Sequence, residues 1–262
     1  MSELDLKQLK EHFAGKLVGC KIDFHSKITS AMDEAERQAE VGAPEGLVVI
    51  AEEQTKGRGR FSRPWISPAK QDLLFSVLLR PSVTQLRFMN MAATLATCAA
   101  VEQSTNMFAG IKWPNDLRVN GRKIAGILVE STLESQVQIG HTVLGIGLNV
   151  NSDPSLTPEI AETATSISRL LKRSVDRTKV LIILLERLNE LYQTIQSGIS
   201  LTNMWSERLE TLGKLVKIEF REGCGHVVEG RARSVDEEGN LLVELPDGKV
   251  KTLVAGEVTL QV

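Results

Sequence analysis

A cationic loop enclosed by two apolar segments constrains the fold more than any other feature of this chain. Residues 46–51 and 72–79 are both short, apolar and bounded by polar residues, a pattern typical of buried strands. The first part of the loop between them, residues 52–65, carries four cations, which are Lys56, Arg58, Arg60 and Arg63. The chain must therefore form a sheet that buries both strands and leaves this loop outside the core.

The composition of the loop indicates an anion-binding role. Gly57 and Gly59 separate its first three cations, and glycine lets main-chain N–H groups turn toward a ligand. Arginine offers a planar fork of donors that matches phosphate and carboxylate. We expect a flexible clamp for a polyanion, disordered until the anion binds. The alternative is a solvated, charged hairpin loop.

Composition limits the possible partners and compartments. The 262 residues suggest one large domain or two, and a net charge of −2 gives no global attraction to nucleic acid or membrane. Three scattered cysteines without metal-ligand spacing favour a reducing compartment and no structural zinc. No signal peptide is evident, and no apolar run approaches the roughly 20 residues of a membrane span. We expect a soluble, cytoplasmic protein.

The order of predicted elements favours an α+β fold. Between residues 111 and 150, apolar segments follow one another without helices, and Asn120-Gly121 is a strong hairpin signal. This pattern predicts a mixed or antiparallel sheet flanked by helices. Helices are predicted over residues 1–15, 26–41, 85–103, 178–195 and 203–209, and strands over 16–24 and the apolar segments.

The pattern of apolar and turn-forming residues changes near residue 212. Beyond it, short apolar segments alternate with turn residues, as in a small β-barrel. We expect a first domain over residues 1–212 and a small barrel domain over residues 213–262.

Three further clusters could carry chemistry. Residues 112–116 place a cation, an aromatic ring, a proline, an amide and a carboxylate together; the alternative is a capped turn. Lys123 stands at the head of an apolar strand, where it could reach an anion or simply extend to solvent. Gly145 and Gly147 share one strand face, which would admit a flat ligand against the backbone or only tight packing.

The missing motifs narrow the reaction class. The chain contains no nucleophile elbow, Walker A loop or dinucleotide-binding fingerprint. Its four histidines have no spacing that suggests a triad or a metal site. Fixed cations and carboxylates instead suit chemistry at a phosphate, where positioning and charge stabilisation dominate.

Taken together, the clusters closely resemble biotin–protein ligases of the type without an N-terminal DNA-binding domain, over about residues 20–262. The resemblance implies a class II synthetase-like catalytic sheet followed by a small SH3-like barrel. It rests on four motifs, which are Gly57-Arg58-Gly59-Arg60-x-x-Arg63-x-Trp65, Lys112-Trp113-Pro114-Asn115-Asp116, Lys123-x-Ala125-Gly126-Ile127-Leu128-x-Glu130 and Gly145-x-Gly147-x-Asn149-x-Asn151.

The resemblance implies a two-step ligase reaction. Biotin and Mg-ATP would give biotinyl-5′-AMP, and a lysine of a biotin carboxyl carrier protein would then displace AMP. No DNA or membrane partner is implied, and the chain would act as a monomer or homodimer. Mg²⁺ would be held through the phosphates, near Asp116.

The same resemblance implies the site residues. Arg58 and Lys123 would be catalytic. The biotin contacts would be Ser30, Gln54, Arg58, Lys123 and Gly126. The nucleotide contacts would be Arg58, Arg60, Arg63, Trp65, Lys112, Asn115, Asp116 and Asn149.

Two departures from the family pattern stand out. Ala31 replaces a threonine, and loss of one neutral hydrogen bond of roughly 0.5–1.5 kcal/mol predicts biotin binding about three- to tenfold weaker. Ser62 replaces a glycine, which should be tolerated. A lipoate–protein ligase is the nearest alternative, followed by a non-catalytic biotin- or nucleic-acid-binding module.

Overall fold

The computed structural model describes residues 3–135, 138–219, 227–254 and 256–260. Its helices are α1 Leu6–His12, α2 Ala31–Glu40, α3 Val83–Leu86, α4 Met89–Thr105, α5 Ile167–Leu171, α6 Arg177–Gln196 and α7 Thr202–Ser206. Its strands are β1 Lys21–His25, β2 Leu47–Ala51, β3 Leu73–Leu79, β4 Gly110–Lys112, β5 Asp116–Val119, β6 Arg122–Ser135, β7 Gln138–Leu148, β8 Leu215–Glu219, β9 Val227–Val235, β10 Leu241–Glu244, β11 Val250–Leu253 and β12 Glu257–Leu260. In these ranges, every helix is too short or too polar to cross a membrane.

The larger sheet has seven strands in the order β1-β2-β3-β7-β6-β5-β4. Only β1 and β2 are parallel, and the other neighbours run antiparallel. Helices α4 and α6 pack together, with α4 against β5, β6 and β7, whereas α2 packs against β2, β3 and β7. The predicted α+β fold with a mixed sheet and flanking helices is confirmed.

Burial on both faces explains why two of the strands are wholly apolar or nearly so. Every residue of β2 and of β3 is buried, so neither strand needs the alternating pattern of a half-exposed sheet. The β5–β6 hairpin turns at Asn120 and Gly121, whose φ angles are 50° and 77°. Positive φ at both positions is what a tight two-residue hairpin requires.

The helix predicted over residues 26–41 begins later than expected. Helix α2 starts at Ala31 because the Ser30 side chain accepts a hydrogen bond from the Met32 N–H and so caps the helix. The segment before it is not helical, and Ile28 forms a parallel β-bridge with Gln54. Ser30 is thereby placed where strand, loop and helix meet.

The C-terminal strands form a second sheet in the order β11-β10-β9-β8-β12, with antiparallel neighbours. Among the described strands, β11 and β12 lie at opposite edges, so this SH3-like sheet does not close into the predicted barrel. Strand β12 had no clear sequence signal. The boundary near residue 212 stays a prediction.

A buried ion pair ties the cationic loop to the helical layer. Arg177, the first residue of α6, donates to both carboxylate oxygens of Glu52, over 2.6 and 2.9 Å. It also donates to the Asp72 carbonyl oxygen over 3.1 Å. Glu52 follows β2 and Asp72 precedes β3, so one guanidinium fixes both ends of the loop.

Asp72 adds a second anchor at the same point. Its carboxylate accepts hydrogen bonds from the Val150 N–H and the Ser67 hydroxyl, each over 2.8 Å. Burial raises the pKa of the Asp72 carboxyl, although these hydrogen bonds oppose the shift. The end of the loop is therefore held from β3, from the loop itself and from the segment after β7.

Replacing Arg177 by leucine should destabilise the fold by about 3–5 kcal/mol, because Glu52 would keep its buried charge without a partner. Urea unfolding followed by circular dichroism measures the change. The control is Arg169→Leu, whose ion pair with Asp153 is largely exposed and should contribute less than about 1 kcal/mol. Equal losses in the two variants would contradict this role for Arg177.

Candidate active site

One cavity of about 320 Å³ collects the residues that the sequence predicts as ligand contacts. It lies on the α2 side of the larger sheet, below the cationic loop. All twelve predicted residues line it, namely Ser30, Gln54, Arg58, Arg60, Arg63, Trp65, Lys112, Asn115, Asp116, Lys123, Gly126 and Asn149. Residues that are far apart in sequence thus form one site, and their individual roles remain predictions.

Glycines make the floor of the cavity bare. Gly126 of β6 and Gly147 of β7 are register partners, and the Trp65 indole lies directly over both. A Cβ atom on Gly147 would lie 2.5 Å from Trp65 Cε2, and one on Gly126 would lie 2.9 Å from Trp65 Cζ3. The sheet can therefore hold a flat ring against its backbone only because side chains are missing here.

The cationic loop folds back on itself as a small hairpin. The Gly59 N–H donates to the Arg63 carbonyl oxygen over 2.8 Å, and the Trp65 N–H donates to the Gly57 carbonyl oxygen over 2.9 Å. The expectation that this loop orders only when an anion binds stays a prediction. The hairpin directs Trp65 onto the glycine floor.

The tip of this hairpin has unusual backbone geometry. Phe61 and Ser62 have φ angles of 57° and 56°, in the left-handed region that non-glycine residues rarely adopt. A glycine at position 62 would adopt this geometry without steric cost. Ser62 occupies it nonetheless, consistent with the expectation that a small residue is tolerated.

Two carboxylates hold Arg58 over the cavity. Its Nη1 lies 2.5 Å from Asp33 Oδ1, and its Nη2 lies 2.8 Å from Glu130 Oε2. Ser30 Oγ is 3.4 Å from Nη1. Burial alone would lower the pKa of the Arg58 guanidinium, but Glu130 and Asp33 outweigh it and raise the pKa. Arg58 is therefore permanently charged and oriented, and an anionic ligand must compete with these carboxylates.

Lys123 occupies the other part of the cavity. Its Nζ lies 2.6 Å from Asp116 Oδ1 and 5.5 Å from the Trp65 ring centroid. Its main chain is also fixed, because its N–H donates to Thr163 and its carbonyl accepts from Thr165, both over 2.8 Å. Lys123 thus faces the cavity as a positioned cation instead of extending freely to solvent.

Side-chain amides brace the surrounding loops. Asn115 Nδ2 donates to the Ile127 carbonyl oxygen, and its Oδ1 accepts from Arg60 Nη1 over 3.5 Å. Asn149 Nδ2 donates to the Thr165 carbonyl oxygen over 3.0 Å. In this structure both asparagines position the cavity wall.

Ala31 lies beside the cavity without lining it, and the weaker binding expected from it stays a prediction. Its N–H donates to Gln54 Oε1 over 2.7 Å, but its side chain is 1% exposed and packs in the core. Ser30 and Met32 line the cavity, and Ala31 does not.

Several lining residues had no sequence signal. Ile160 and Ala164 come from the connection after β7, and Gly256 and Val258 come from the C-terminal sheet. Their contribution depends on long-range packing that no local motif records.

A preformed group of three metal-ligating side chains lies outside the cavity. Within the described part of the chain, the one group of three side chains able to hold a metal ion is Asp23, His25 and Glu34. Gln38 already donates to the Asp23 and Glu34 carboxylates. Asp116, near which Mg²⁺ was predicted, is not part of this group.

Comparison with known proteins gives a consistent set of similarities. The model of the biotin/lipoate A/B protein ligase family matches residues 24–149, and that of the biotin protein ligase C-terminal domain matches residues 211–260. A biotin–[acetyl-CoA-carboxylase] ligase of Mycobacterium tuberculosis is 31% identical, over 97% of this chain and 95% of the relative. The bifunctional ligase/repressor BirA of Bacillus subtilis is 30% identical, over 94% of this chain and 75% of the relative.

A solved structure agrees with these matches. The biotin protein ligase of Aquifex aeolicus in complex with biotin and ATP superimposes with a TM-score of 0.76 and 28% identity. The match covers 92% of this chain and 98% of that chain.

Replacing Gly147 by alanine should displace Trp65, because the new Cβ would lie 2.5 Å from a rigid ring. Trp113 and Trp205 should be unaffected, since their indole N–H groups donate to Gly239 and Thr94, respectively. We expect a red shift of the tryptophan emission with unchanged far-ultraviolet circular dichroism.

Gly145→Ala is the matched comparison for that experiment. Its Cβ would meet the flexible thioether end of Met32 at 2.4 Å, which can move aside, so the emission should change little. A Gly147→Ala spectrum identical to that of the unmodified protein would show that Trp65 does not rest on the glycine floor.

Proposed function

The chain belongs to the biotin/lipoate A/B protein ligase family, and we propose that the described cavity performs both steps of biotin attachment. The chain is an ATP-dependent ligase that activates biotin and transfers it to a carrier protein. The assignment of the steps to residues is our proposal. The match of residues 211–260 to the biotin ligase C-terminal domain favours biotin over lipoate.

One observation carries the assignment: a single cavity joins the Arg58 cation, the Lys123 cation and the Trp65 indole, which rests on Gly126 and Gly147. The Trp65 ring offers an apolar face to the fused rings of biotin. Ser30, Gln54, Arg58 and the Gly126 backbone contact the biotin, and Lys123 lies toward its carboxylate. Rings held beside Trp65 and between fixed cations leave the acid group aimed at the nucleotide.

In the first step, an oxygen of the biotin carboxylate attacks the α-phosphorus of ATP. A new P–O bond forms, the bond to the bridging oxygen of the β-phosphate breaks, and pyrophosphate leaves with the electron pair. Both reactants are anions, so the barrier includes their repulsion. Arg58 and Lys123 screen it and stabilise the charge that develops on the phosphoryl oxygens.

The remaining predicted residues hold the nucleotide. Arg60 and Arg63 bind its phosphates, and the Trp65 indole offers a flat surface beside them. Lys112, Asn115, Asp116 and Asn149 complete this part of the cavity. Mg²⁺ suits a site with one carboxylate and substrate phosphates. Asp116 would supply that carboxylate, and it orients Lys123 through an ion pair of 2.6 Å.

In the second step, the neutral amine of a carrier lysine attacks the acyl carbon of biotinyl-5′-AMP. An amide bond forms, the acyl–oxygen bond to AMP breaks, and the attacking nitrogen loses a proton. Water could compete for the same anhydride. The hairpin of residues 57–65 covers the cavity and restricts that access. The acceptor is a biotin carboxyl carrier protein, and the domain division at residue 212 belongs to the same proposal.

Purified protein with Mg²⁺ should exchange pyrophosphate into ATP when biotin is present, and not with lipoate or without an acid. Arg58→Ala should lower this exchange about 100-fold or more, because one cation of the clamp is lost. Radiolabelled pyrophosphate exchange measures both. Exchange with lipoate alone would reassign the substrate, and no exchange with either acid would leave a binding module without this activity.

Lys123→Gln should lower kcat/KM for exchange by about 10²- to 10³-fold, since it removes a cation and keeps most of the side-chain volume. Asp116→Asn leaves Lys123 charged, and saturating Mg²⁺ offsets the loss of the carboxylate proposed for the metal, so its loss should be smaller. Steady-state exchange kinetics compare the two. A larger loss for Asp116→Asn would show that the carboxylate, not the lysine, is the main contributor.

A further inference from the structure

Ser76 is a buried polar residue that the activation mechanism does not use. It stands in the middle of β3, whose other residues are all apolar. The residue is 1% exposed and lines the cavity. Its Oγ has no hydrogen-bond partner among the described residues. A buried hydroxyl without a hydrogen-bond partner destabilises the ligand-free protein. A ligand that hydrogen-bonds this hydroxyl would explain its presence in the cavity.

The register places this hydroxyl on the side of the sheet that faces α2. Ser76 pairs with Gly145 of β7, and Gly145 pairs with Leu128 of β6. Side chains alternate across a strand, so Ser76 shares its face with Leu74 and Leu78, which pack in the core cluster below α2. Gly145 has no side chain, and the space over it is taken by the Met32 thioether, a flexible group that can move aside for a ligand.

The hydroxyl lies away from the charged part of the cavity. The row that joins Gly147, Gly126 and Asp116 is two residues further along the strands, or about 7 Å. Lys123 pairs with Asp116 in that direction. Ser76 therefore faces the ring system of a bound acid and not its carboxylate.

We propose that Ser76 is a specificity-determining residue whose hydroxyl hydrogen-bonds the urea of bound biotin. This inference rests on the proposed function of the cavity. A serine hydroxyl donates one hydrogen bond and accepts others, and a urea offers both N–H donors and a carbonyl acceptor. A sulfur atom is only a weak acceptor, so the biotin thioether is the poorer partner.

Titration calorimetry of Ser76→Ala with biotin and with desthiobiotin, which keeps the urea and lacks the sulfur, tests the proposal. We expect the Kd of both to rise about three- to tenfold, because each loses one neutral hydrogen bond. The exchange rate at saturating biotin should change less than about twofold. The melting temperature of the ligand-free variant should not fall, since the lost hydroxyl had no partner.

Ser131→Ala is the matched control, because its hydroxyl is already paired with Thr142 over 2.9 Å and its residue does not line the cavity. It should leave both Kd values unchanged. Unchanged Kd values in Ser76→Ala, or a rise for biotin alone, would overturn the urea contact. A fall in melting temperature without a change in Kd would mean that Ser76 only packs. Absence of exchange in the unmodified protein would instead refute the proposed function.

Discussion

The ion pair between Arg177 and Glu52 is the constraint on which the site depends. Two charges that are 1% and 4% exposed must satisfy each other in the protein interior, or each pays a large desolvation cost. The pair can form only when α6 packs on α4 and when the loop leaves β2 at one place. Correct packing of a helix more than 100 residues away therefore decides where the Arg58 side chain can stand.

The cavity concentrates polar groups that are left unpaired. In the described residues, four buried side-chain atoms have no hydrogen-bond partner, and two of them, Trp65 Nε1 and Ser76 Oγ, belong to cavity residues. The other two, His141 Nε2 and Arg177 Nε, lie outside the cavity, in side chains that have ion-pair partners. Local conflict with the rules of stable folding is expected at functional sites. A bound ligand can supply the hydrogen bonds that Trp65 Nε1 and Ser76 Oγ lack in the ligand-free protein.

Much of the site could be predicted because short sequence motifs contain its functional residues. Cations, amides and glycines recognisable in sequence all line one cavity. The partners that orient them could not be predicted in the same way. Asp33 and Glu130 meet Arg58 only after α2 and β6 pack on either side of the loop, and Ala31 turned inward because the first turn of α2 buries it. These outcomes depend on tertiary contacts that local patterns do not determine.

The fold, like the site, could be predicted only where local sequence determines the structure. Apolar β2 and β3 and the turn at Asn120 were clear from sequence, because burial and backbone geometry act locally. The open order of the C-terminal sheet was not clear, since closure depends on which edge strands meet.

The ion pairs of Arg58 with Asp33 and Glu130 affect how anion binding in the cavity depends on the salt concentration. An anionic ligand that binds Arg58 replaces the existing ion pairs of Arg58 with Asp33 and Glu130. Dissolved salt screens the outgoing and incoming pairs alike. The exchange of partners at Arg58 therefore makes its contribution to anion affinity less dependent on ionic strength than that of a cation with no ion pair to lose.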